Sequence, residues 1–134
     1  MLLDYQYNDG GRSAAGFKGT TRDCVVRAMA IACDLDYGDL YRKIRKQMGA
    51  SASPRDGVPK KIYRPMLSSM GWRWVPLMGI GTGCTTHLRA DELPQDRLIV
   101  GVSRHLLTVI DHVMHDVYCD DRGGTRCVYG YWIK

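Results

Sequence analysis

The feature that most constrains this chain is a change of hydrophobic period at Gly71. Before it, apolar residues recur at spacings of three and four, as on one face of a helix; after it, runs of β-branched and aromatic residues take over. A stripe of one period cannot be buried by the other kind of element, so the order of the two patterns sets the order of the architecture. Helices come first and a sheet second. This segregation predicts an α+β fold, with an antiparallel meander covered on one face by the N-terminal helices. A chain of 134 residues is long enough for one self-supporting core. The expected organisation is a single domain over 1–134: an irregular lead-in over 1–19, a helical part over 20–70 and a sheet part over 71–134.

The first helix is expected to begin near Thr20, with Thr20 as N-cap and Asp23 in the capping-box position ahead of "CVVRAMAIAC". Cys24 then lies in the first turn, while Cys33 lies on the buried stripe with Val25 and Met29. Ala28 and Ala32 imply a close neighbour. A second helix over about 37–48 turns Leu40, Tyr41, Ile44 and Met48 inward and Arg42, Lys43, Arg45 and Lys46 outward, stopping at Gly49. A third spans about 58–70, with Pro65 either kinking it or marking its start. Short strands are expected at "WRWVPL", "RLIVGVS", "HLLTVI", "VMHDVY" and "RCVYGYWI", with a further edge strand at "LLDYQY".

Two strand patterns meet at Asp111 and His112, a dipeptide suited to a two-residue hairpin turn. Opposed residues on that hairpin have numbers summing to 223, so Leu107 faces Asp116, and His105 stands diagonally from Asp116 at about 7–8 Å between backbones. An acid beside a histidine fixes its tautomer and stabilises the imidazolium. A cysteine at a helix N-terminus is the matching nucleophile, because the helix dipole and a nearby imidazolium both favour the thiolate. Taken singly, a cysteine on an alanine-rich helix is more often packing, and a His and Asp on one strand face are more often a surface pair.

The order Cys, His, Asp on helix then hairpin resembles the papain-like cysteine peptidase superfamily. More narrowly, "TTRDCVVRAMAIACDLDYGDLYRKI", "LIVGVSRHLLTVIDHVMHD" and "RCVYGYW" are similar to small proteins encoded by bacteriophages, over about 19–132. "DC" before an apolar helix and "H" before an apolar strand also resemble the peptidases that trim double-glycine leaders and the NlpC-type amidases. The resemblance implies Cys24 as nucleophile, His105 as general base and acid, and Asp116 as the orienting residue. It also implies an oxyanion hole made by the Cys24 N–H and one side-chain donor. Papain-like enzymes commonly keep a Gln six residues before the nucleophile, where this chain has Lys18; Gln6, Asn8, Thr20 and Thr21 are the other candidates. The implied activity is hydrolysis of an amide or isopeptide bond in a protein or peptide, with no cofactor and no metal.

Competing signals are weaker. His112, His115, Cys119 and Cys127 are permissible zinc ligands, but 112 and 115 fall on opposite strand faces and no C-x-x-C pair is present. Cys84 and His87 lie close together in a flexible loop. "GIGTG" lacks the lysine and the strand-to-helix setting of a phosphate loop. Trp72, Trp74, Tyr129, Tyr131 and Trp132 read as sheet-face core, or for one or two of them as the wall of a substrate groove.

The net charge is +5, from 19 Lys and Arg against 14 Asp and Glu. It is concentrated in "YRKIRKQM" and "RDGVPKKIYR" and leaves a nucleic-acid partner as a weak alternative. The alternative class is a non-catalytic binding or virion protein that kept the fold and acts on a host factor or nucleic acid. No run of about 20 apolar residues is present and the N-terminus lacks a signal-peptide pattern, so a cytoplasmic setting without membrane insertion is expected. Five cysteines with no paired spacing suit reduced thiols there.

Overall fold

A computed structural model of the chain describes residues 1–19 and 21–134. It is α+β, with three helices, α1 (Cys24–Cys33), α2 (Tyr37–Met48) and α3 (Lys60–Ser69), preceding most of a six-stranded sheet. The strands are β1 (Asp4–Tyr7), β2 (Arg73–Pro76), β3 (Arg97–Val102), β4 (His105–Ile110), β5 (Val113–Asp116) and β6 (Val128–Ile133). Their spatial order is β1-β5-β4-β3-β6-β2.

The sheet is mixed, not wholly antiparallel. β1 pairs parallel with β5, placing Tyr7 beside Asp116, while the other pairs are antiparallel. A strand drawn from the lead-in reaches the far edge only by running alongside β5, which is a choice of topology and not of local pattern. The β4–β5 register is the expected one, with Ile110 opposite Val113 and Val109 opposite Met114. Asp111 and His112 both have positive φ, 48° and 65°, the conformation of a tight turn whose twist matches that of the strands.

Each helix forms for reasons present in its own sequence. In α2, Asp36 caps the N-terminus by accepting from the Asp39 N–H at 3.0 Å. Leu40, Tyr41 and Ile44 are buried, and the four basic residues of that helix point to solvent. α3 starts at Lys60 after Pro59, and Pro65 lies within it on the exposed side, where its missing N–H disturbs no packing. α1 starts at Cys24, not Thr20, and the expected cap at Thr20 falls outside the described residues. Asp23 holds the N-cap position, but its side chain makes no cap bond because it is engaged elsewhere.

Both sheet faces are covered. One packs Ile99, Leu106 and Trp132 against the helices, with Val26, Met29, Ile44 and Leu67 completely buried beneath. The small Ala28 lets α1 approach β4 closely enough for the Thr108 hydroxyl to donate to the Ala28 carbonyl at 2.7 Å. The other face carries Leu98, Val100, Leu107, Val109 and Met114, covered by Leu3 and by Leu88, Ala90 and Leu93 of the connection between β2 and β3. That connection looks like a loop in sequence because its apolar residues have no period, yet it closes the second core.

The expectation of five reduced thiols is also corrected. Cys84 and Cys127 form a disulfide, with Cα atoms 5.8 Å apart and positions 43 apart in sequence; Cys24, Cys33 and Cys119 are free. The bridge joins that same connection to the start of β6, beside the isolated pairing of His87 with Cys127. A spacing of 43 residues resembles no known cysteine motif, so only the folding of the loop against β6 brings the two together. Among the described residues, no helix is long and apolar enough to cross a membrane.

Candidate active site

Three elements converge on one end of the sheet. α1 offers its first residue, Cys24; β4 offers its first, His105; and β5 offers its last, Asp116. His105 follows directly on the two-residue turn at Ser103 and Arg104, since Val102 pairs with His105. β4 and β5 pair only over Thr108–Ile110 and Val113–His115; beyond that, Asp116 pairs with Tyr7 instead. The two strands therefore diverge at this end, and the side chains of His105 and Asp116 bridge the gap.

The His105 Nε2 to Asp116 Oδ2 distance is 2.6 Å, with both side chains less than a tenth exposed. Asp116 Oδ1 accepts from the Arg27 Nη1 at 3.2 Å and from the Val117 N–H at 2.8 Å. With Nε2 taken by the acid, Nδ1 is the ring nitrogen left toward Cys24, which lines the same cleft as His105. Tyr118 stacks on the imidazole, ring centres 6.1 Å apart and planes 24° apart.

The electrostatics follow from these contacts. Burial pushes the Cys24 thiol up, but the hydrogen bond and charge of His105, the Leu106 backbone and the Arg27 guanidinium outweigh it, leaving the thiol below its ordinary value. Burial likewise pushes His105 down, and is outweighed by the Asp116 hydrogen bond, the Cys24 hydrogen bond and both negative charges, which raise it to about 9. The two shifts have one cause: the negative form of Cys24 and the positive form of His105 each favour the other. Cys33 shows the contrast. Burial raises its thiol, and no histidine shares its surroundings to reverse that.

A layer of charge behind the site has no counterpart in the sequence expectations. Asp23 is fully buried and accepts from the Arg27 Nε at 2.9 Å and from the Tyr37 hydroxyl, with the Arg12 Nε at 3.4 Å. Arg27 thus ties Asp23, the residue before Cys24, to Asp116, the partner of His105, and so links α1 to β5 at this end of the sheet. The available signal was Arg27 itself, the only charge inside "CVVRAMAIAC". A buried arginine of this kind requires carboxylate partners, and Asp23 one helical turn earlier was at hand.

These groups open onto a cleft of about 1310 Å³ that also includes Lys18, Thr21, Tyr63, Arg64, Trp74, Gly101 and Tyr129. Of the expected oxyanion donors, Lys18 and Thr21 lie on the cleft wall, with the Thr21 hydroxyl donating to the Arg55 carbonyl at 3.1 Å. Gln6 and Asn8 do not. Gln6 donates to the Tyr7 carbonyl at 3.1 Å, and Asn8 accepts from the Gly10 N–H at 2.9 Å and contacts His115 Nδ1 at 3.3 Å. Thr20 lies outside the described residues.

Among the aromatics, Trp72 and Trp132 are core, whereas Trp74 and Tyr129 face the cleft. The expected zinc alternatives are dispersed: His112 contacts the Leu93 carbonyl, His115 contacts Asn8, and Cys127 is bonded to Cys84. His87 lies against Glu92, its Nδ1 at 3.1 Å, away from the cleft. No protein-family model matches this chain, and neither the curated proteins nor the solved structures hold a match to it.

Proposed function

We propose that this protein is a papain-like cysteine hydrolase that cleaves an amide or isopeptide bond through an acyl-enzyme. The observation that carries it is that one cleft is lined both by Cys24, the first residue of a helix, and by His105, whose Nε2 is held by a buried acid at 2.6 Å. A core thiol needs none of these partners, whereas a buried histidine held by a buried acid is what a cysteine hydrolase requires beside its thiol.

The chemistry runs in two halves. In the first, the Cys24 thiolate attacks the carbonyl carbon and negative charge collects on its oxygen. The Cys24 N–H has no intrahelical partner, being the first of α1, and points with the positive end of the helix toward that oxygen. Lys18 is the side-chain donor on the same wall. The imidazolium of His105 passes its proton to the amine nitrogen, the C–N bond breaks, and a thioester remains. In the second half, neutral His105 takes a proton from water as the water oxygen attacks the thioester. The C–S bond then breaks, and thiolate and imidazolium are restored. Asp116 holds the ring for both transfers.

The test is the pH dependence of Cys24 alkylation by iodoacetamide, followed by peptide mass mapping. A reactive Cys24 is alkylated well below the pH at which Cys119, the exposed free thiol, reacts. A Cys24 no faster than Cys119 at every pH sinks the hydrolase and leaves the non-catalytic binding protein as the surviving alternative.

A further inference from the structure

The protein's excess charge is not spread over its surface. The cleft wall carries seven Arg and Lys residues against three Asp, a surplus of four, where the whole chain has a surplus of five. Part of this charge is spent internally. Arg12 and Arg27 pair with Asp23, and Arg12 also holds the Lys18 and Gly19 carbonyls at 2.9 and 3.0 Å. Asp9 is used by the Gly11 and Ser13 N–H groups, both at 2.9 Å.

What faces the cleft is then Lys18, Arg22, Lys60, Arg64 and Arg104, with Asp56 as the one acid not otherwise engaged on that wall. Among the described residues, none of the five has an ion-pair partner within 4.0 Å. Arg64 lies over the Trp74 ring, 5.2 Å from its centre, which fixes its guanidinium at the wall. The cations come from three separate places in the fold: the segment leading into α1, the first turns of α3, and the β3–β4 turn beside His105. They therefore surround the thiol on more than one side.

We infer that this cleft selects acidic peptides, with aspartate or glutamate side chains flanking the bond presented to Cys24. The inference rests on the hydrolase reading and adds the substrate class to it. A concave, partly apolar wall concentrates the field of its charges, and unpaired cations around a reacting centre raise the local concentration of anionic substrate and lower that of cationic substrate. The field is also local. At physiological salt it reaches about 8 Å, so only residues close to the scissile bond feel it.

The experiment compares the rates at which tetrapeptide chloromethyl ketones alkylate Cys24, displacing chloride, with Glu, Gly or Lys at the flanking positions. Each rate is divided by that of iodoacetamide on the same protein. At low salt the Glu probe is expected to react about tenfold faster than the Gly probe and the Lys probe more slowly, with the spread collapsing at 0.5 M salt. In the double variant Arg22→Glu, Lys60→Glu, the normalised Glu preference is expected to shrink or reverse. Equal normalised rates for the three probes overturn the acidic-peptide inference while leaving the hydrolase intact. So does protection of Cys24 by a single-stranded oligonucleotide where a Glu-rich peptide gives none, which assigns the cations to nucleic acid. Failure of iodoacetamide itself to distinguish Cys24 from Cys119 removes the hydrolase and this inference together.

Discussion

The most exacting test of the site is Asp116→Asn, which keeps the shape and an acceptor oxygen for His105 Nε2 but removes the charge. Holding His105 at about 9, against an ordinary value of 6.5, corresponds to about 3 kcal/mol of preference for the imidazolium. Asp116 is foremost among the groups that produce that preference. Without its charge, His105 is expected to titrate at least about one pH unit lower, a tenfold or greater loss of preference.

Two observables follow. In the alkylation profile of Cys24, the plateau due to the ion pair is expected to end at lower pH than in the wild type. In a histidine proton NMR titration, the His105 signal is expected to move with it. Stability carries a third signature. A raised histidine stabilises the fold fully below about pH 6.5 and loses that contribution as pH rises toward 9, because the native state holds the proton that the unfolded chain has released. The variant is expected to show a shallower decline over that window. Its overall stability is expected to fall by about 1–3 kcal/mol, since Arg27 is left with Asp23 as its remaining carboxylate. An Asp116→Asn protein whose Cys24 and His105 titrate as in the wild type would show that the 2.6 Å contact does not govern the pair, and the assignment of roles would fall with it.

Two further outcomes test the scaffold. Thiol titration of the denatured, unreduced protein should count three free cysteines, and Cys127→Ser should cost about 4 kcal/mol, the chain-entropy value for a loop of 43 residues; five thiols in the untreated protein would refute the bridge. Gly130→Ala should lower stability by about 3 kcal/mol or more and displace Trp74, which lines the cleft. Its added Cβ would lie 2.4 Å from the Trp74 ring and 2.7 Å from the Val75 carbonyl, and backbone cannot swing aside as a side-chain end can. Unchanged melting of this variant would refute the packing of Trp74 against β6.

Much of the molecule was legible in the sequence because its local and global preferences agree. The period change at Gly71, the stop of α2 at Gly49, the basic outer face of α2 and the Asp111–His112 turn are each decided within a few residues, so they survive into the fold unchanged. The hairpin register follows from its turn and one parity rule, and this is why the diagonal between His105 and Asp116 could be drawn before any coordinates.

The tertiary structure alone decided three other things. Only packing made β1 a parallel partner of β5, closed the second core with an aperiodic connection and bonded Cys84 to Cys127, because each is a long-range contact that no nearby residue specifies. Only packing removed Asp23 from its expected cap, since two arginines and the Tyr37 hydroxyl, brought in from 12, 27 and 37, compete for its carboxylate with the backbone N–H groups and win. And only packing turned Gln6 and Asn8 away while gathering five cations around Cys24. Charge is written in the sequence as a sum, but it acts as a field, and a field depends on where the fold sets each charge.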